Sequence, residues 1–191
     1  MNKKTLIVLV ALLLFLAAVV LIYFLIIRPS PEPEKRNKIS NGFLENDNYM
    51  IRVPEGWTEE DNLGAYSMII NSKEQIIDPD AQKINFRSYY SVVYDALKDE
   101  SSEDYFKKVI ESLKSSFPGI NIIKEEDKDT NGNRVHFIEA EIRQQNIDFA
   151  VLLAVNIKEE NVWIISFNTL KSNWNKYENL FYEIAESFKI K

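Results

Sequence analysis

The spacing of apolar and polar positions changes character along this chain. Leu6 to Ile27 is an unbroken run of 22 residues without a charge, and a helix of that length reaches about 33 Å, enough to cross the hydrocarbon core of a bilayer. Past Lys38 the pattern becomes one of short alternations. Tyr49, Ile51 and Val53 alternate with polar residues and stop at Pro54, as a half-buried strand does before a turn. Ala65 to Ile70 and Ile84 to Tyr94 are β-rich in the same way. Ser101 then caps a helix, with Asp104 three residues on, and Tyr105, Phe106, Val109, Ile110, Leu113 and Phe117 share one face until Pro118 and Gly119 end it. Three strands follow as a meander: Arg134 to Arg143, Ile147 to Ile157 and Val162 to Thr169. The middle one is apolar on both faces from Phe149 to Val155, so it belongs at the centre of a sheet covered on both sides. A closing helix from near Ser172 aligns Trp174, Tyr177, Phe181, Ile184, Ala185 and Phe188 and supplies the second cover. The expected fold class is α+β, an antiparallel β-sheet sandwiched by helices and preceded by one N-terminal transmembrane helix.

Three segments result. The far end of the apolar run holds Leu21, Ile22, Phe24, Leu25, Ile26 and Ile27 rather than the small residues of a cleavage site, so residues 1–28 are expected to stay attached as a signal anchor. Residues 29–38, with three prolines among charges, form an extended stalk. Residues 39–191 are one globular domain. Positive charges flank the apolar run on both sides, and a long downstream domain crosses a membrane largely regardless of its own charge; the domain is therefore expected outside the cytoplasm.

Charge removes several function classes. Residues 29–191 hold 20 basic and 29 acidic side chains, which disfavours nucleic acid and anionic lipid headgroups as partners. With no cysteine, disulfides, thiolate metal sites and cysteine nucleophiles are impossible.

The opening Tyr49-Met50-Ile51-Arg52-Val53-Pro54-Glu55-Gly56-Trp57, the amphipathic helix ending at Phe117-Pro118, the meander with Trp163-Ile164-Ile165-Ser166-Phe167, and a last helix closing on Ser187-Phe188 together resemble the PsbP-like (Mog/PsbP) family over about residues 43–190. The resemblance implies an α/β/α sandwich, no catalytic residues, no cofactor, and an accessory or binding role. Photosystem members of that family are soluble lumenal subunits, whereas this chain is expected to carry an anchor and a stalk.

Candidate chemistry is sparse. Asp127 to Asn133 matches the start of a calcium loop, but Ile138 stands where the bidentate glutamate should be, and Asn131-Gly132 suits a hairpin turn. His136, the one histidine, shares strand parity with Ile138, Ala140 and Ile142, as a hydrogen-bonded histidine at the edge of a core would. Glu139 and Glu141 are paired carboxylates, the basis of an alternative reading as a hydrolase or transferase acting on envelope material; a small-ligand or calcium sensor is a third. Trp57, Trp163 and Trp174 read as core. Tyr89, Tyr90 and Tyr94 remain as candidate partner-binding residues, with Tyr89 on the face opposite the other two. The leading expectation is a membrane-tethered, extracytoplasmic, non-enzymatic domain that binds a protein of the cell envelope.

Overall fold

The computed structural model describes residues 37–60 and 65–191. The expected anchor and all but the last two residues of the expected stalk lie outside the described residues. Among those described, no helix is long and apolar enough to cross a membrane. In chain order the elements are β1 (Lys38–Ser40), β2 (Phe43–Glu45), β3 (Tyr49–Arg52), β4 (Trp57–Glu60), β5 (Ser67–Asn71), α1 (Pro79–Lys83), β6 (Tyr89–Ala96), α2 (Ser102–Ser116), β7 (Asn121–Thr130), β8 (Asn133–Gln144), β9 (Ile147–Lys158), β10 (Asn161–Leu170), α3 (Trp174–Glu186) and β11 (Lys189–Ile190).

Seven strands form one antiparallel sheet in the order β4-β5-β6-β10-β9-β8-β7, and four form a second in the order β1-β2-β3-β11. The long hairpins follow from turn chemistry. The β7–β8 loop is Asn131-Gly132 with φ of 54° and 80°, and the β8–β9 loop is Gln145-Asn146 with φ of 49° and 66°; two positive φ angles in a two-residue loop match the strand twist. Every residue of β9 from Phe149 to Val155 is buried, as its two-sided apolar pattern requires. One face of the sheet packs against α2, through Tyr105, Phe106 and Phe117. The helix starts where Ser101 Oγ accepts from the Asp104 amide at 3.1 Å.

The opposite face departs from the helix-covered sandwich expected from the sequence. It packs against α3, through Tyr177, Phe181, Ile184 and Ala185, and also against the small sheet, through Leu44, Tyr49 and Ile51. That cover is mixed because β11, after α3, pairs with β3, so the first three described strands and the last one share a layer. The β-rich stretch expected from Ile84 begins only at Tyr89; Ile84 instead caps α1. Asn37, expected in the stalk, is held in the fold: its amide donates to Ser67 Oγ at 3.1 Å and to Glu59, and its carbonyl accepts from Asn46.

Asn131 does more than turn the chain. Its amide donates to the carbonyls of Glu186 (2.8 Å) and Phe188 (3.0 Å), tying the β7–β8 hairpin to the end of α3. Asn131→Gly keeps the positive φ and loses both bonds, so urea denaturation should show a loss of about 1 kcal/mol.

Candidate functional site

β6 sorts the three tyrosines by alternation. Tyr90 and Tyr94 point to the α3 side and Tyr89 to the other. Tyr90 is 0% exposed; its hydroxyl donates to the Arg52 carbonyl at 2.8 Å, and its ring lies 6.1 Å from Trp57 and 5.5 Å from Phe167. It is a core residue and is removed from the candidate binding set, because β6 lies between two strands and under α3. Tyr94 is half-buried, with its ring 4.9 Å from Trp163 and its hydroxyl donating to Asn161 at 2.9 Å. Tyr89 remains half-exposed. Its neighbours nonetheless desolvate its hydroxyl, and burial pushes the phenol up to about 12.

Tyr89 lies in a band of sheet on which no helix packs among the described residues. The strand registers place Ile70, Tyr89 and Asn168 in one row, Met68, Ser91 and Ser166 in the next, and Val93 beside Ile164 in a third, all on one face. All are half-buried, with Thr58 and Glu60 exposed beyond them. Among the described residues the apolar clusters of α1 and α2 draw their sheet partners from β8, β9 and β10, Ile164 included, and Ile70, Tyr89 and Val93 belong to none of them. Its border is Phe86, 6.2 Å from Tyr89 and 5.1 Å from Phe149. The groups on this face are aliphatic, hydroxyl and amide, with one aromatic, Tyr89. Sequence alternation found Tyr89, but the rest of the band needs the strand order to become visible.

The carboxylates have their own partners. Glu141 accepts from Lys171 Nζ at 2.7 Å, and Asp148 pairs with Arg143 at 3.3 Å, in a shallow depression at the sheet end that also takes in Gly119 and Asn121. Glu139 sits apart, beside Tyr182 and Glu178 of α3, and burial, then Glu178, raise its carboxyl above the ordinary range. A raised acid in the folded state costs stability above that range and nothing below the unfolded value. Glu139→Gln should therefore stabilise the protein at pH 7 by a few tenths of a kcal/mol, the side chain being only partly buried. Thermal melts should show the gain vanishing by about pH 4.

His136 stands at the core edge, 9% exposed. Its Nδ1 is 2.8 Å from Asp127 Oδ1, and its ring stacks on Phe106 at 4.4 Å. The expected hairpin replaces a calcium loop: Asp127 pairs across the strands with His136 and bonds Arg134, whose guanidinium holds its carboxyl below the usual range. Trp57 and Trp163 are 7% and 3% exposed, and Trp174 packs on Phe181 at 6.1 Å.

The chain belongs to the PsbP family, whose model matches residues 43–190. Among solved structures it is similar to cyanobacterial PsbP (CyanoP) from Synechocystis sp. PCC 6803, at 17% identity over 85% of this chain and 97% of that one, with a TM-score of 0.55. It is also similar to LpqN of Mycobacterium tuberculosis, described as involved in cell envelope biogenesis, at 15% identity over 75% of this chain and 83% of that one, with a TM-score of 0.60. No curated protein matches it by sequence.

Proposed function

We propose that this is a membrane-tethered, extracytoplasmic and non-enzymatic PsbP-family domain that binds a protein of the cell envelope through the band around Tyr89. The band carries this reading: interior strands of a sheet normally have both faces covered, and here the half-buried Ile70, Tyr89 and Val93 of β5 and β6 belong to no apolar cluster of the described residues. The link of LpqN to cell envelope biogenesis and the uncharged run from Leu6 to Ile27 support an envelope setting. Tyr89→Ala in the full chain should weaken partner capture by about 1 to 2 kcal/mol while leaving the fold intact, since interface aromatics often dominate binding. Turnover of envelope sugars or peptides that Glu139→Gln or Glu141→Gln abolishes would instead establish the enzyme reading.

A further inference from the structure

Two asparagines of this chain precede a glycine, in Asn41-Gly42 and Asn131-Gly132. Such a pair is chemically labile, because a glycine amide with no Cβ beside it readily reaches the asparagine side-chain carbonyl. The structure gives the two pairs the same backbone. Each fills a two-residue hairpin loop with both φ angles positive, 51° and 75° in the first, 54° and 80° in the second. The flanking residues are paired in each, Ser40 with Phe43 and Thr130 with Asn133, and all four loop residues are exposed. The side chains differ. The Asn131 amide donates to the carbonyls of Glu186 at 2.8 Å and Phe188 at 3.0 Å, whereas the Asn41 side chain makes no hydrogen bond among the described residues.

We infer that Asn41 is a site of spontaneous deamidation that alters the β1–β2 hairpin, while Asn131 is shielded by its two bonds. In the first step the Gly42 backbone nitrogen gives up its proton and attacks Asn41 Cγ. The Cγ–Nδ2 bond breaks, ammonia leaves with that proton, and a cyclic succinimide remains. Water then opens the ring at either carbonyl, giving aspartate or isoaspartate, with nothing oxidised or reduced. At Asn131 the leaving amide must first give up two acceptors, and a carboxylate formed there would face two carbonyl oxygens in place of a donor. At position 41 an isoaspartate puts one extra carbon into the main chain of a two-residue loop, whose length sets the register of Ser40 on Phe43. The Gly42 carbonyl also accepts from the Val53 amide at 2.7 Å, so a longer loop pulls on the end of β3 as well.

The full chain should be aged in mildly alkaline buffer, both folded and unfolded in urea, then digested with trypsin and followed by mass spectrometry. Cleavage after Lys38 and Arg52, and after Lys128 and Arg134, places Asn41 and Asn131 in separate peptides, and fragmentation assigns the mass gain to a residue. In the folded chain Asn131 should convert at least roughly tenfold more slowly than Asn41, since its amide has two bonds to break. In urea the two should convert alike. Asn41→Gly, which keeps the positive φ, should abolish the gain at that turn. In the aged protein, amide exchange should accelerate from Lys38 to Glu45 and stay unchanged in β8 and β9. No conversion of Asn41 in the folded chain would overturn the site. Equal rates for the two residues in the folded chain, or a difference that persists in urea, would overturn the shielding. Unchanged exchange across β1 and β2 in the isoaspartate form would overturn the effect on the hairpin.

Discussion

Tyr90→Ala should cost about 3 to 5 kcal/mol of unfolding free energy, the range for removing a buried aromatic. The side chain is fully buried, touches Trp57 and Phe167, and bonds the Arg52 carbonyl; truncation opens a cavity at the meeting point of the two sheets and leaves that carbonyl without its hydroxyl. Tyr90→Phe keeps the ring and should cost about 1 kcal/mol. Tyr89→Ala, one residue away on the other face, should stay well below the Tyr90→Ala loss because its position is half-exposed. Urea denaturation of the three variants at a constant slope checks the ordering. If Tyr90→Ala and Tyr89→Ala cost the same, the division of β6 into a core face and a docking face is wrong.

That division also marks how far the sequence could be read. Wherever hydrophobic period and turn chemistry agree, the element is legible: α2 between Ser101 and Pro118, the β8–β9–β10 meander, and α3 all lie within a few residues of where the pattern places them. β7 escaped because Lys124 to Asp129 is six consecutive charged residues, with no alternation to detect. It is an edge strand paired on one side only, and charge on an edge discourages pairing with other chains. The small sheet, apart from the strand expected at Tyr49 to Val53, escaped for another reason. Its strands are two to four residues long, and the β3–β11 pairing joins residues about 140 positions apart, which no local window registers. The site was legible only in part. Period-2 alternation separates Tyr89 from Tyr90, but which face a helix covers depends on strand order, and this sheet threads β10 between β6 and β9.

Glu74 shows the same limit, since nothing around it in sequence marks it as buried. Glu74→Ala should lower stability by about 3 kcal/mol, because the Ser88 amide, the Ser88 hydroxyl and the Asn173 amide all lose their acceptor inside the protein. For a domain of this size the melting temperature should fall by roughly 10 °C. Glu74→Gln retains one acceptor oxygen and should lose about half as much. The loss should also be local before it is global. Amide exchange should accelerate most between Ser72 and Ser88, where the loop depends on this carboxylate, and least in β8 and β9, which are held by their own ladder. Uniform acceleration across the domain would mean that Glu74 supports the core as a whole; no acceleration in the loop would mean that it does not fix the segment between β5 and β6.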